Sequence, residues 1–269
     1  MDAYVINLKH RTDRWKAIQS LLSKVKSLKS VHRFDAVVGK DLDLSTVNIR
    51  EDLRYALRVE ERFSPLLIDS VGAVGASLSH IGVWKQVVNT LQRDTDWALV
   101  LEDDATFKHA ELDQVLEILP NAPFEYVHMD SMHPLPSTSG SVSVGRVEFQ
   151  WIKPWSRGGS AFYGAAAYAL TRRVAQTLLD TCFPLDVSID HFIMRQLGAQ
   201  SIPIAFRHVV KQDAFWKGND IRHDPFPKQK QAGRIGFLVG CASTLCVVVV
   251  VILLAAFLGY LKPFASLLL

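Results

Sequence analysis

Cysteine is scarce in this sequence. Only three of its 269 residues are cysteines. Cys241 and Cys246 lie within a long apolar segment near the C-terminus, and Cys182 stands alone. This distribution excludes a disulfide-stapled secreted scaffold and agrees with a reducing compartment.

An excess of charge of either sign is also missing. The chain has 30 basic and 27 acidic residues, which gives a formal net charge of +3. A protein that binds nucleic acid through a basic surface would show a clear positive excess, so nucleic acid is not expected as a partner. Residues Met1–Val5 contain neither the basic start nor the apolar run of a secretory signal peptide, so none is predicted.

Charged residues are absent from residues 235–261, which are strongly apolar. About 20 such residues span a bilayer, so this stretch is predicted to be a transmembrane helix. More basic residues precede it than follow it, which predicts a single-pass, tail-anchored protein with its folded domain on the cytoplasmic face. Gly236 and Gly240 have the spacing of a motif through which membrane helices pair, so a homodimer is one interpretation. The other is that glycines are simply tolerated in membrane helices.

These features divide the chain into four parts. They are a folded domain over residues 1–224, a linker with proline and basic residues over 225–234, the membrane helix over 235–261 and a short tail over 262–269. A domain of about 230 residues is long enough for one α/β fold with a sizeable core.

Three acidic residues follow a strand that is predicted to be buried. Trp97–Leu101 is a continuous apolar run, typical of a strand covered on both faces, and Glu102, Asp103 and Asp104 come directly after it. In open α/β sheets, ligands bind beyond the carboxyl ends of such strands. Adjacent carboxylates repel one another, and Mg²⁺ or Mn²⁺ relieves this repulsion while sharing its ligand shell with substrate phosphates. A solvated acidic turn is the alternative.

The N-terminal segment has residues suited to phosphate binding. An apolar strand over Ala3–Leu8 leads into a turn with Arg11 and Arg14, and then into a helix for which Thr12 is the predicted N-cap. Strand, arginines and helix N-terminus together form a common phosphate site. Taken alone, the arginines fit the exposed surface of a helix better.

A glycine-containing helix begins near Gly72. Gly75 predicts a close backbone approach, either to a ligand or to a neighbouring element. Ser79 and His80 fall in the first part of this helix, where they could face a site. For His80 the alternative is a core histidine with its hydrogen bonds satisfied.

Three further acids are candidates for chemistry. Asp130 ends a strand predicted over residues 125–130. Asp186 and Asp190 are four residues apart and share a helix face if both are helical. The alternatives are an N-terminal capping acid for Asp186 and a surface pair of Asp190 with His191.

Together these segments resemble glycosyltransferase family 25, which contains lipooligosaccharide and collagen galactosyltransferases. The resemblance covers about residues 3–223, and its main motifs are Val5–Leu8 with Arg11 and Arg14; Gly72, Gly75, Ser79, His80 and Trp84; and Leu99–Ala105. Weaker matches are Gly159, Tyr163 and Gly164; Pro184–Asp186; and Gln212 with Asn219–Ile221. The resemblance implies an α/β, GT-A type nucleotide-sugar-binding fold with a mixed, mostly parallel sheet flanked by helices, to which the C-terminal transmembrane helix is added.

The resemblance also implies the chemistry. It implies metal-dependent, inverting transfer of a hexose, galactose or glucose, from a UDP-sugar to a glycan, lipid-linked or protein acceptor, with Mn²⁺ or Mg²⁺ as cofactor. The implied metal ligands are Glu102, Asp104 and His208. The residues implied to lie at the nucleotide sugar are Asn7, Arg11, Arg14, Gly75, Ser79, His80 and Asp103. An inverting reaction needs a base to deprotonate the acceptor hydroxyl, and the candidates are Asp186, Asp190 and Asp130.

The sequence departs from the family pattern at a few positions. Ala76 stands where the family often has cysteine, His128 where apolar residues are usual, and Asn219 where serine is commoner. None of these changes removes a carboxylate. A catalytically inactive, membrane-tethered domain that binds nucleotide sugar or glycan is the alternative function. Leu99–Thr106 also resembles a phosphatase motif in which a strand is followed by Asp-x-Asp-x-Thr. That motif is excluded because Glu102 occupies the position of the required aspartate nucleophile.

Overall fold

The computed structural model describes residues 1–58, 68–130, 138–152 and 164–212. All of them belong to Met1–His223, the first of the two units into which the chain divides. None of the helices formed by these residues has the length and apolarity needed to cross a bilayer. The predicted membrane segment 235–261, the linker 225–234 and the family-like residues 159–163 and 219–221 lie outside the described residues.

The described residues form six α-helices and ten β-strands. The helices are α1 (Thr12–Leu22), α2 (Glu51–Arg58), α3 (Val71–Thr90), α4 (His109–Ile118), α5 (Arg172–Thr181) and α6 (Ile189–Ala199). The strands are β1 (Asp2–Asn7), β2 (Ser30–Asp35), β3 (Trp97–Glu102), β4 (Ala105–Phe107), β5 (Tyr126–His128), β6 (Thr138–Val144), β7 (Val147–Ile152), β8 (Ala167–Thr171), β9 (Ala205–Phe206) and β10 (Val210–Gln212).

Most of the strands form one mixed sheet. Its eight strands have the order β2-β1-β3-β8-β5-β9-β7-β6. β1 pairs in parallel with β2 and β3, and β5 pairs in parallel with β9. β8 and β7 run opposite to the other strands of the sheet. The predicted α/β class with a mixed, mostly parallel sheet is therefore confirmed.

Alternate side chains of the central strands face two separate cores. In β3, Ala98 and Val100 join the core that contains α3, α5 and α6. Leu99 and Leu101 join the core that contains α1 and α4. Helices therefore cover both faces of the sheet, which explains why this strand is apolar along its whole length. The strand leaves both cores at Glu102, where the acidic motif begins.

Local sequence determines where α1 and α3 begin. α3 follows Ser70, whose hydroxyl accepts a hydrogen bond from the Ala73 N–H at 3.1 Å. α1 begins at Thr12 with Arg11 at the N-cap position and no side-chain cap. The prediction that Thr12 caps α1 is therefore wrong by one residue. A turn closed by a 2.8 Å hydrogen bond from the Arg11 N–H to the Leu8 carbonyl brings Arg11 into that position instead.

A second sheet connects the end of the described chain to the acidic motif. β10 pairs antiparallel with β4, and Gln212 lies opposite Ala105. Ala105 directly follows Asp104. This pairing places the last described residue beside the end of β3.

Candidate active site

The acidic motif lies where β1 and β3 end side by side. Ile6 pairs with Glu102 in the parallel register, so the next residues of the two strands, Asn7 and Asp103, meet just beyond it. The Asn7 amide nitrogen donates to Asp103 Oδ2 at 2.5 Å and to the Arg11 carbonyl at 3.0 Å. Asn7 therefore links the acidic motif to the start of α1.

Arg14 holds the other oxygen of Asp103. Its Nη1 donates to Asp103 Oδ1 at 3.1 Å and lies 3.9 Å from Asp104 Oδ2. Burial raises the pKa of Asp103, while the hydrogen bond from Asn7 and the positive charge of Arg14 oppose the rise. Two side chains from the segment around the start of α1 thus orient the Asp103 carboxylate.

Arg33 supports this arrangement from β2. Its Nε donates to Asn7 Oδ1 at 2.8 Å, and its Nη2 donates to the Lys9 carbonyl at 3.0 Å. Its guanidinium also lies over the Trp15 ring, 5.5 Å from the ring centroid. These contacts fix the Asn7 amide with its nitrogen toward Asp103.

Glu102 receives a polar partner at each carboxylate oxygen. Its Oε1 lies 3.3 Å from His80 Nε2, and its Oε2 accepts a hydrogen bond from the Gln212 amide at 3.1 Å. His80 comes from α3 and Gln212 from β10, so three elements distant in sequence meet at this carboxylate.

Asp104 is the least satisfied member of the motif. Its side chain is 10% exposed, and among the described residues its Oδ1 is buried without a hydrogen-bond partner. Burial, together with repulsion from Glu102 and Asp103, raises the pKa of Asp104 to about 7. Arg14 and a hydrogen bond from Gln212 oppose this rise. A cation at this oxygen would relieve both the missing contact and the repulsion.

The described residues contain no group of three or more histidine, cysteine, aspartate or glutamate side chains arranged to hold a metal ion. His208, the predicted third ligand, is exposed and stacks on Phe206 with 6.3 Å between ring centroids. Its role as a ligand stays a prediction. Any ion bound by Glu102 and Asp104 would therefore need further oxygens from substrate or water.

Gly75 and Ser79 pack α3 against the segment that follows β2. A Cβ atom on Gly75 would lie 2.7 Å from the Val37 carbonyl oxygen and 2.8 Å from the Gly39 nitrogen. The buried Ser79 hydroxyl accepts from the Val37 N–H at 2.8 Å and donates to the Gly75 carbonyl at 2.7 Å. Of the two interpretations of Gly75, close approach to a neighbouring element is the one that the structure supports.

Each of the three candidate bases has fixed partners, and those of Asp186 and Asp130 are an arginine and two backbone N–H groups. Asp186 forms a two-point ion pair with Arg195, at 2.6 and 2.8 Å. Asp130 is 1% exposed and accepts hydrogen bonds from the N–H groups of Ala167 at 2.9 Å and Ala166 at 3.3 Å. Burial and the charges of nearby acids nevertheless raise the pKa of Asp130 to about 8, so Asp130 holds a proton at neutral pH.

Asp190 is charged at neutral pH. Its Oδ1 accepts from the Ser188 hydroxyl at 2.6 Å and the His191 N–H at 2.9 Å, and lies 3.2 Å from His191 Nδ1. Its Oδ2 accepts from the Gly164 N–H at 2.9 Å. Burial alone would raise the pKa of Asp190, but these hydrogen bonds and the neighbouring imidazole lower it below its ordinary value.

Three polar partners in this region were not predicted as site residues. Arg33 lies in β2, Gln212 in β10, and Tyr168 in β8, where its hydroxyl lies 2.9 Å from His80 Nδ1. The available signal was a polar group on the side chain of a strand residue. That signal does not say which carboxylate or amide the side chain will meet.

Comparison with models of protein families assigns the chain to one family. The model of the family described as "Glycosyltransferase family 25 (LPS biosynthesis protein)" matches residues 1–193, which include β1, α1, α3 and the acidic motif. The chain belongs to glycosyltransferase family 25. The resemblance inferred from the motifs is thereby confirmed.

Two relatives of this family 25 chain have longer sequences. Procollagen galactosyltransferase 2 of Homo sapiens is 30% identical over 121 residues, which cover 45% of this chain and 18% of that protein. Procollagen lysyl hydroxylase and glycosyltransferase of Acanthamoeba polyphaga mimivirus is 30% identical over 191 residues, which cover 66% of this chain and 19% of that protein. The matched regions are thus less than a fifth of either relative.

A solved structure gives a weaker likeness. The inositol-1-phosphate CTP transferase from T. maritima has 12% sequence identity and a TM-score of 0.42, with 78% of this chain and 88% of that chain covered. At this level the likeness gives no information about the function of the family 25 domain.

Proposed function

We propose that this protein is a metal-dependent, inverting glycosyltransferase that moves a hexose from a UDP-sugar to an acceptor hydroxyl, using a GT-A type domain. The observation that carries the proposal is the buried Oδ1 of Asp104, beside Glu102 at the end of β3, which has no hydrogen-bond partner among the residues that the structure describes. Membership of glycosyltransferase family 25 supports the same reaction class.

Glu102 and Asp104 fit a divalent cation. Mg²⁺ and Mn²⁺ prefer oxygen ligands, and Mg²⁺ is commonly held by one or two carboxylates together with substrate phosphates. An oxygen without a partner, in a cluster whose acids repel one another, meets that requirement. When bound, such an ion supplies positive charge next to the diphosphate that leaves with the nucleotide.

The surroundings of Asp103 suit the nucleotide. Asn7 and Arg14 fix the Asp103 carboxylate, and a fixed carboxylate is a suitable hydrogen-bond acceptor for ribose hydroxyls. Arg11 lies at the N-cap of α1, where the helix dipole favours phosphate, and it pairs with Asp13 at 3.1 Å. His80 contributes to the site through its contact with Glu102. Gly75 and Ser79 act indirectly, by holding α3 in place.

We propose Asp190 as the base because it is deprotonated at neutral pH, and its hydrogen bonds must weaken for it to accept a proton. A base must lack a proton before it acts, and the pKa of Asp190 is lowered while that of Asp130 is raised to about 8. Asp186 is engaged by Arg195. Asp190 would accept the proton of the acceptor hydroxyl as that oxygen attacks the anomeric carbon and the bond to the diphosphate breaks.

The same proposal covers the transferred sugar, the acceptor and the membrane location of the protein. Relatives named procollagen galactosyltransferase favour galactose over glucose as the transferred sugar. We propose that residues 235–261 anchor the protein in a membrane with the catalytic domain on the cytoplasmic face, where the acceptor is a glycan, lipid-linked or protein hydroxyl. Pairing through Gly236 and Gly240 would give a homodimer.

The first test measures UDP release by the full 269-residue chain in detergent. UDP-galactose and UDP-glucose are offered with Mn²⁺ or with EDTA to the wild type, to Asp104→Asn and to Glu117→Gln. Glu117 is an exposed acid on α4 and serves as the matched control. We expect metal-dependent release from one donor, unchanged in Glu117→Gln and reduced about a thousandfold in Asp104→Asn, because Lewis-acid stabilisation amounts to several kcal/mol.

Two results would contradict this proposal. Release that is equal in EDTA and Mn²⁺ would remove the metal from the reaction. Binding of UDP with Mn²⁺ but no release from any donor, in the presence of glycan acceptors, would favour an inactive nucleotide-sugar-binding domain.

A further inference from the structure

Three buried side chains form a hydrogen-bonded chain that ends on Glu102. Trp84 Nε1 donates to the Tyr168 hydroxyl at 2.9 Å, and that hydroxyl lies 2.9 Å from His80 Nδ1. His80 Nε2 lies 3.3 Å from Glu102 Oε1. His80 is 1% exposed, and Trp84 and Tyr168 are 0% exposed, so water does not compete for the contacts among these three side chains.

The donors in this chain determine where the imidazole proton lies. An indole nitrogen can only donate, so the Tyr168 oxygen accepts a hydrogen bond from Trp84. The Tyr168 hydroxyl in turn donates a hydrogen bond to His80 Nδ1. The ring proton of His80 then lies on Nε2 and points at Glu102. A proton on Nδ1 would leave the Tyr168 O–H without this acceptor and turn the Nε2 lone pair toward a carboxylate.

This arrangement orients Glu102 without cancelling its charge. An arginine or lysine in the place of His80 would form an ion pair and repel a cation. An imidazole with one proton donates a single hydrogen bond and leaves the carboxylate charge available. Gln212, which is also uncharged, holds the other oxygen at 3.1 Å.

We propose that His80 is a positioning residue for the metal site, with Tyr168 and Trp84 behind it fixing the orientation of its ring. His80 contacts neither substrate nor metal, and it acts by holding Glu102. This inference rests on the proposed function, because Glu102 is a ligand only if the protein binds a divalent cation.

The test measures cation affinity in the full-length protein. Mn²⁺ is titrated at a fixed UDP concentration, and the midpoint is the Mn²⁺ concentration that gives half of the maximal rise in melting temperature. We expect His80→Leu to raise this midpoint about 10- to 100-fold, the usual effect of losing a partner behind a metal ligand. His80→Gln should restore most of the affinity, because its amide N–H can occupy the position of Nε2.

A double-mutant cycle separates positioning from general damage. If His80 acts through Glu102, His80→Leu should leave the midpoint unchanged when Glu102→Gln is already present. Tyr168→Phe removes one oxygen and keeps the ring, and it should raise the midpoint in the same direction as His80→Leu. This variant carries the test if His80→Leu does not fold.

The outcomes are distinguishable. A wild type with no Mn²⁺-dependent UDP binding would overturn the proposed function together with this inference. Wild-type binding with unchanged midpoints in folded His80→Leu and Tyr168→Phe would overturn only the positioning role. An equal loss with and without Glu102→Gln would also overturn it, since His80 would then act independently of Glu102.

Discussion

At the scale of single residues, the number of hydrogen-bond donors decides which acids of this molecule carry charge. Asp190 accepts several hydrogen bonds and has a lowered pKa, whereas Asp104 has one oxygen without a partner among the described residues and a pKa raised to about 7. Both acids are largely buried. Burial disfavours charge in every acid, and the hydrogen-bond donors and neighbouring charges around each carboxylate make the difference between Asp190 and Asp104.

A first prediction concerns Asp190. Asp190→Asn should lower kcat at least about 100-fold, since a general base typically contributes that much or more. The affinity for UDP with Mn²⁺ should not change, because Asp190 is not among the proposed metal ligands. Steady-state kinetics and a UDP-binding titration measure the two effects separately.

Asp186→Asn is the matched control for that prediction. Asp186 lies four residues away and is paired with Arg195, so its replacement should affect melting temperature more than kcat. A larger kcat loss in Asp186→Asn than in Asp190→Asn would move the base to Asp186.

At the scale of secondary-structure elements, α3 links the segment that follows β2 to the acidic motif. One face of this helix packs on the segment after β2 through Gly75 and Ser79, and the same helix presents His80 to Glu102. A shift of α3 would therefore move His80 away from Glu102 and would also displace the segment around Val37 and Gly39.

Two glycines of α3 allow a matched prediction. A methyl group on Gly75 would meet the backbone of Val37 and Gly39, whereas on Gly82 it would meet the end of the Phe34 ring. A ring can move aside more easily than backbone. Gly75→Ala should lower the free energy of unfolding by about 1–3 kcal/mol as overpacking does, despite a helix-propensity gain of about 1 kcal/mol.

Gly82→Ala should cost clearly less than Gly75→Ala. Urea unfolding of both variants in the same detergent provides the comparison. Equal effects, or a larger effect in Gly82→Ala, would show that the Gly75 approach is not the tighter contact.

The same elements show how far sequence reasoning reached. The apolar run Trp97–Leu101 predicted a doubly covered strand correctly because its pattern is local. The grouping of the acidic motif with Asn7 and Arg14 came from the family resemblance, and the parallel pairing of β1 with β3 is what brings these residues together in the structure. The N-cap of α1 was missed by one residue because the preceding turn, and not the residue type, positioned it.

Partners from distant strands could not be predicted in this way. Arg33 reaches Asn7 because β2 pairs with β1 in a particular register, and Gln212 reaches Glu102 because β10 pairs with β4. Register is a property of two strands together. The alternation of side chains within one strand constrains which face each residue occupies, but the residue that it meets depends on the other strand.

At the scale of the whole molecule, the raised pKa values predict how stability varies with pH. The pKa of Asp130 is raised from 3.8 to about 8, so between these values the folded state binds more protons than the unfolded state. Below about pH 6.5 the buried His128 opposes this effect, because its pKa is lowered from 6.5 to about 3 and it binds its proton only in the unfolded state. Stability should therefore fall as the pH rises from about 6.5 to about 8, by at most about 1.4 kcal/mol per pH unit for one proton. Asp104 contributes in the same direction, up to about 7.

Urea unfolding at about pH 6.5, 7.2 and 8 would measure this dependence, because these pH values lie within that window. Asp130→Asn cannot titrate and should show a shallower fall than the wild type, while Glu117→Gln should keep the wild-type slope. A wild type whose stability rises across this range would show that Asp130 is not held neutral in the folded state.

The pairing of β10 with β4 also has a consequence during synthesis. Glu102 leaves the ribosome 110 residues before Gln212, the donor to its Oε2. A nascent chain that ends before β10 has the complete acidic triplet but lacks the hydrogen bond that orients one of its oxygens. The proposed cation site would therefore be completed only once β10 has been made, after the sheet strands that surround the acidic motif.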